Sequence, residues 1–406
     1  MDFSCLRPPR IERVPSTLFL EHVTLMNIFD KESIEFMGKI IALSGQGEET
    51  YLPSPLHYIP PKTHLQDSIE EAHSLFFPVM DDLLLKTGVS PREIDVIVIN
   101  CSGFCASPSL SSIVVNRYAM REDIKSFNLS GMGCSAGAIS IDVARALLRN
   151  PKHSYAVVLS TEILSTGWYA GKDKRKLLLN CLFRMGCSAL MLTNRREKKS
   201  SSKYRLVKLV RTQRAFDDKA YHSAIREEDS QGITGFTLER WLLQVVADTL
   251  RANIFSLGLS VLPLREKIPY GLSLLVSEVL ETCKEDLYVP DFSSVIQHYC
   301  LPSSGKAVIR EIGKGLKMRE EKMEAALMTF QRFGNQSSSS MWYQMAYMEA
   351  KGKVKVGDRV CQIAIGSGTK CNTIVWESLR SLSTDEANKG PWFDCIGRYP
   401  LKCGLD

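Results

Sequence analysis

The chain has 406 residues, of which 44% are hydrophobic and 24% charged, enough to bury a large core in two domains or one double-sized unit and to exclude disordered and fibrous classes. Lys and Arg number 51 against 45 Asp and Glu, a net charge of +6 spread along the chain rather than collected in a tail; that balance suits an anionic partner and does not imply nucleic acid. No run of 18 apolar residues and no charged-then-apolar leader is visible, so the expectation is a soluble or peripheral chain. Its 12 Cys are scattered, with Cys101 and Cys105 alone as a C-x3-C, which predicts reduced thiols rather than a disulfide framework or a metal site.

Residues 1–65 mix Pro8-Pro9, Pro53, Pro55 and Pro60-Pro61 with short amphipathic pieces and predict an irregular wrapping arm around a helix near 30–44. Over 68–87 the apolar Ile69, Ala72, Phe76, Phe77, Met80, Leu83 and Leu84 recur at helical spacing, and Gly88 closes the helix. Val96-Ile97-Val98-Ile99 reads as a buried strand. A helix near 109–119, a strand near Phe127, a helix over 136–148 and strands at 156–159 and 189–192 follow. That alternation predicts an α/β protein with a largely covered sheet. The stretches 172–176 and 198–203 are basic loops, either solvated surface or contact with an anionic substrate or membrane.

The second half predicts a helix over 238–259, a strand at 294–298, helices near 306–315 and 338–350, and strands over 360–365 and 373–376. In each half a turn of small residues introduces a helix: Ser130-Gly-Met-Gly-Cys-Ser-Ala-Gly137 and Phe333-Gly-Asn-Gln-Ser-Ser-Ser-Ser340. The likeness hints at internal duplication, and the expected division is 1–65, 66–235 and 236–406.

Three features point to carbonyl chemistry on a thioester. Cys134 stands directly before a helix, where unpaired amides and the dipole favour a thiolate; a buried structural cysteine is the alternative. Gly366, Ser367 and Gly368 follow an apolar strand in a tight turn whose amides can face an oxyanion. Asn335 offers an amide at another helix start, or simply an N-cap.

The segments Asn128-Leu-Ser-Gly-Met-Gly-Cys-Ser-Ala-Gly137, Arg332-Phe-Gly-Asn-Gln-Ser-Ser-Ser-Ser-Met-Trp-Tyr343, Gly366-Ser-Gly-Thr-Lys-Cys-Asn372 and Pro391-Trp-Phe-Asp-Cys-Ile-Gly-Arg-Tyr-Pro400 resemble the plant 3-ketoacyl-CoA synthases, condensing enzymes of very-long-chain fatty acid elongation. The resemblance extends from about Cys5 to the last residues. It implies a thiolase-like fold of two similar α/β halves in five αβαβα layers, usually dimeric, with the active site between them. It also implies that Cys134 takes an acyl group from a long-chain acyl-CoA, that malonyl-CoA is decarboxylated to the attacking carbanion, and that Asn335 holds the malonyl thioester, with no cofactor or metal. Implied partners are a second copy or a homologous synthase and the other elongation enzymes, at the cytosolic face of the endoplasmic reticulum. Relatives carry two apolar spans before the Cys-x-x-Pro-Pro region that here begins at Cys5.

The histidines depart from that pattern. The family's His-Phe-Cys-Ile-His-Ala-Gly-Gly appears as His298-Tyr-Cys-Leu-Pro-Ser-Ser-Gly305, which keeps the first histidine and puts Pro302 at the second. Gln331 and Gln213 replace two others. Glutamine still donates a hydrogen bond, whereas proline has neither a side-chain donor nor an N–H, so crippled condensation is expected unless another group has moved in. His298 reads either as a residue orienting the site or as a satisfied core histidine, and His222 as a rescuer or an exposed surface residue. Two functions compete: a working synthase, or a non-catalytic homologue that modulates an active one. Acylation of Cys134 without condensation is a third.

Overall fold

In chain order the elements are β1 (Asp2–Cys5), α1 (Ser16–Leu25), α2 (Lys31–Ser44), α3 (Leu65–Thr87), β2 (Val96–Asn100), α4 (Leu110–Arg117), β3 (Lys125–Leu129), α5 (Ala136–Leu147), β4 (Tyr155–Thr161), α6 (Lys174–Leu182) and β5 (Cys187–Thr193). They continue as β6 (Tyr204–Gln213), α7 (Asp218–Tyr221), β7 (Ala224–Glu228), β8 (Thr234–Leu238), α8 (Leu242–Val261), α9 (Leu264–Val279), β9 (His298–Cys300), α10 (Lys306–Gly315), α11 (Glu320–Phe333), α12 (Ser340–Ala350), β10 (Arg359–Gly366) and β11 (Lys370–Ser378). This computed structural model describes residues 1–279, 291–382, 386 and 390–401.

Two sheets share one plan. The first has the order β1-β5-β4-β2-β3 and the second β6-β11-β10-β9. In each, the outer strand and its neighbour are antiparallel, the next pair is antiparallel, and the following pair is parallel. Every residue of β2 and β4 is buried, as expected for strands covered on both faces. The duplication hinted at by the two small-residue turns is therefore carried by topology.

Helices α5 and α12 form the middle layer, each touching strands of both sheets. Composition explains the placement. Almost every residue of α12 is buried, including Trp342 and Tyr343, so it has no solvent face. α5 begins Ala-Gly-Ala, small enough for close approach. On the outside, α3 covers β5 and β1, and α8 covers β11 and β6. The order helix, sheet, helix pair, sheet, helix is the five-layer arrangement.

The structure moves two expected boundaries. β1 joins the first sheet as an edge strand, with Phe3 opposite Leu190, so the N-terminal arm supplies part of that sheet. β6 belongs to the second sheet, so the changeover falls between Thr193 and Tyr204 and not at 235. Propensity along β6 could not reveal this, because membership is decided by which strand it pairs with. The expected strand at 294–298 is a 3-10 turn at Phe292–Ser294 followed by β9, and the β7–β8 hairpin, α6 and α11 are additional elements.

Asn100, fully buried at the end of β2, ties the halves together. Its Nδ2 donates to Ser140 Oγ at 2.9 Å, Ser160 Oγ at 2.8 Å and the Leu159 carbonyl at 3.1 Å, while Oδ1 accepts from Ser338 Oγ at 2.6 Å. Replacing it with an apolar isostere strands several buried hydroxyls. Asn100→Leu is expected to cost about 2–3 kcal/mol, read as a lower urea midpoint at unchanged slope.

Candidate active site

Cys134 lies in a single 3-10 turn, Gly133–Ser135, that leads into α5, and Ser337–Ser339 forms the same turn before α12. The backbones match closely. Met132 and Gln336 open the turns at φ −97° and −99°, and Gly133 and Ser337 follow at +59° and +54°. The left-handed conformation suits glycine and strains serine.

These turns face each other. The Ser337 hydroxyl donates to Cys134 Sγ at 3.5 Å. A methyl group added at Gly137 would lie 2.7 Å from Met341 Cε and 2.9 Å from the Ser338 carbonyl oxygen, so only glycine permits α5 to approach so closely. The β10–β11 turn completes the enclosure: a methyl at Gly366 would lie 2.3 Å from the Met132 carbonyl oxygen and 2.9 Å from the Ser135 amide. Ser367 Oγ donates to the Gly131 carbonyl at 3.4 Å, and Gly368 continues the turn at φ +64°. The amides of Gly366, Ser367 and Gly368 thus sit beside the Cys134 turn.

Asn335 is buried between the halves. Its backbone bonds to Leu182 and Arg184, and its Oδ1 accepts from the Ser337 amide at 2.8 Å. The side chain therefore caps the turn through oxygen and leaves Nδ2 as its donating end.

Glu162, at the end of β4, escaped the sequence reading. Its carboxylate accepts from the Gly103 amide at 2.6 Å, the Ser102 amide at 3.2 Å and Ser337 Oγ at 3.3 Å. The available signal was its position: a carboxylate directly after a buried strand, at the strand end where α/β proteins place ligands. Beside it opens a narrow apolar cleft lined by Leu52, Leu56, Ile163, Trp168, Phe183 and Phe236.

Burial works against the expected thiolate. It pushes the Cys134 thiol up to about 11, with the Ser337 hydrogen bond pulling back and the Glu162 charge adding to the rise. At neutral pH about one molecule in 10⁴ is ionised at that value. Burial also raises the Glu162 carboxyl, against the hydrogen bonds of Gly103 and Ser102. All ten described cysteines are free thiols, and among the described residues no group of three His, Cys, Asp or Glu is placed to hold a metal ion.

The histidine positions fare unequally. His298 pairs with Val360 and Gly366 lies six residues further along β10, about 20 Å away at a strand's rise. There His298 Nε2 meets Asp358 Oδ2 at 2.8 Å, and burial lowers its pKa. It is a satisfied histidine at the far end of its strand, not a residue in contact with Cys134. Pro302 continues from β9 toward the site; the preceding Leu301 has both backbone groups bound by Gln344. Gln213 ends β6 opposite Lys370, exposed beside the β10–β11 turn. Gln331 turns away: a methyl at Gly47 would overlap its amide, and its Oε1 accepts from Tyr399 at 3.0 Å. His222 is exposed at the end of α7 against the Tyr221 ring.

Alkylation of Cys134 by iodoacetamide, followed on its peptide by mass spectrometry, is expected to keep rising from about pH 8 to about pH 10.5 without a plateau, since the thiol titrates near 11. Glu162→Gln removes the neighbouring charge and moves that profile to lower pH.

Residues 1–279 match the family profile described as FAE1/Type III polyketide synthase-like protein, and residues 293–378 match 3-Oxoacyl-[acyl-carrier-protein (ACP)] synthase III C terminal. Two similar solved structures are 1,3,6,8-tetrahydroxynaphthalene synthase from Streptomyces coelicolor A3(2), with TM-score 0.71 at 18% identity, and CsyB complexed with CoA-SH, with TM-score 0.69 at 17% identity. Each match covers 93% of this chain and 98% of the other. They establish the thiolase-like fold. The 3-ketoacyl-CoA synthases 4 and 6 of Arabidopsis thaliana are each 45% identical over 401 residues, covering 99% of this chain and 77% and 80% of theirs. Identity of that size, held from one end of the chain to the other, goes well beyond a shared fold, and the chain belongs to the 3-ketoacyl-CoA synthase family.

Proposed function

We propose that this chain is a condensing enzyme of very-long-chain fatty acid elongation, joining a fatty acyl group to the two-carbon unit of malonyl-CoA. The observation that carries the reading is Cys134 at the meeting of two helix N-termini, enclosed by the turn of Gly366, Ser367 and Gly368, in a chain of this family. The Cys134 sulfur attacks the acyl-CoA carbonyl, the bond to CoA sulfur breaks, and CoA leaves as a thiol. Malonyl-CoA then loses CO2, and its carbanion attacks the acyl-Cys134 carbonyl. The tetrahedral adduct expels the Cys134 thiolate and releases 3-ketoacyl-CoA.

Each flanking group has a role in that sequence. The amides of the 366–368 turn stabilise the oxyanion. Asn335 Nδ2 donates to the malonyl thioester carbonyl as negative charge develops there. The apolar cleft beside Glu162 takes the first carbons of the acyl chain. Pro302 supplies no donor at all, so the decarboxylation step carries the heaviest loss. The protein acts as a dimer, with itself or a homologous synthase, together with other elongation enzymes at the cytosolic face of the endoplasmic reticulum. Among the described residues no helix is long and apolar enough to cross a membrane.

Purified protein with radiolabelled malonyl-CoA and a series of saturated acyl-CoAs is expected to form 3-ketoacyl-CoA, and Cys134→Ala to abolish it. Pro302→His is expected to raise the rate about 10² to 10⁴-fold. Absence of product from both the native chain and this variant overturns the reading.

A further inference from the structure

We propose that Ser337 and Glu162 form the proton path that deprotonates Cys134, the task left open where the histidines are replaced. The proposal rests on the acyl-transfer reading of Cys134. Ser337 Oγ lies 3.5 Å from Cys134 Sγ and 3.3 Å from Glu162 Oε2. When its hydroxyl donates to the carboxylate, its oxygen is free to accept the thiol proton.

Three further observations support this path. Glu162 is held in one orientation by the Gly103 and Ser102 amides, so its second oxygen has a fixed aim. Ser337 occupies a left-handed conformation at φ +54°, where its counterpart in the first half is Gly133. Strain of this kind persists where the surroundings enforce it, and it clusters at functional sites; here it holds the hydroxyl on the sulfur. All seven histidines have their contacts elsewhere: His22 with the Leu56 carbonyl, His57 with the Leu52 carbonyl, His153 with the Leu147 carbonyl, His298 and His64 with Asp358 and Asp67, and His73 and His222 against the Phe77 and Tyr221 rings.

The step balances internally. As the sulfur closes on the acyl-CoA carbonyl, the S–H bond breaks and its proton passes to Ser337 Oγ. The Ser337 hydroxyl proton moves to Glu162. When the tetrahedral adduct collapses, the bond to CoA sulfur breaks, and the proton returns from Glu162 through Ser337 to the departing CoA thiolate. No net proton is taken from solvent. Ser337 touches the reacting sulfur and is the catalytic residue; Glu162 acts through it. The raised Glu162 carboxyl brings the acceptor nearer working pH. Besides Cys134, the titratable group against it is Cys101, whose thiol donates to Oε1 at 3.5 Å, and the guanidinium of Arg226 lies one residue out, donating to the Gly103 carbonyl at 2.7 Å.

The test compares native protein, Ser337→Gly and Glu162→Gln. Glycine adopts the Ser337 backbone without strain, and glutamine keeps the shape of the carboxylate; circular dichroism checks both folds. Acylation of Cys134 is read by intact mass across pH with two donors, a long-chain acyl-CoA and a p-nitrophenyl fatty ester that needs no CoA site. Both variants are expected to acylate about 10²-fold more slowly near pH 7 with either donor. Glu162→Gln is also expected to lose the limb of the pH profile that follows carboxylate ionisation. The same variant speeds iodoacetamide alkylation, because the charge that raises the thiol is gone. This opposition of sign is one that a merely structural role does not produce. Native rates in both variants, or equal slowing of acylation and alkylation in Glu162→Gln, overturn the proton path, as does a native chain that neither donor acylates. Ser337- and Glu162-dependent acylation from the ester, with none from acyl-CoA, upholds the path and overturns the proposed function instead.

Discussion

The N-termini of α5 and α12 meet nose to nose at the centre of the molecule, and the rest of the structure is arranged around that contact. Each terminus carries roughly half a positive charge, so bringing two together is electrostatically unfavourable unless something compensates. Glu162 supplies the compensation: its carboxylate bridges the Ser102 and Gly103 amides on one side and Ser337 on the other. Asn100 fixes the separation, reaching Ser140 on α5 and Ser338 before α12 with opposite ends of one amide. The absence of a side chain at Gly137 then lets the backbones close to contact distance. Because the middle layer touches both sheets, Cys134 belongs to neither half alone.

This placement decides the chemistry of Cys134. A helix N-terminus near the surface contributes about 0.3–1 kcal/mol toward an anion, whereas burial and the neighbouring carboxylate push the Cys134 thiol the other way, against the Ser337 hydrogen bond. The thiol rests protonated. A protonated thiol reacts slowly with oxidants and stray electrophiles. The same junction ties the two halves together and holds Cys134, which makes its polar groups doubly constrained.

Local elements were largely legible because their patterns are strong. The apolar spacing over 68–87 and the unbroken runs in β2 and β4 need no tertiary information, and the motifs around Cys134, Asn335 and Gly366 sit beside one another as the family resemblance implied. Other features were illegible for physical reasons. β6 carries no mark of the sheet it joins, since that depends on its pairing with β11. His298 sits in the same short segment as Pro302, yet a strand separates neighbours by more than 3 Å per residue, and the chain has left the site by the time it reaches the histidine. Gln331 is four positions from Asn335 on the sequence but turns outward at the end of α11 toward Gly47 and Tyr399.

The α/β alternation, the paired small-residue turns and the family pattern with its missing imidazoles were readable along the chain, because spacing and residue type encode these locally. Which groups surround the Cys134 sulfur follows from packing alone. Glu162, Ser337 and Cys134 are far apart in the chain and come together solely because two sheets share a middle layer. The protonation state of the thiol, the isolation of His298 and the strained hydroxyl at Ser337 are consequences of that burial and convergence, which no local pattern records.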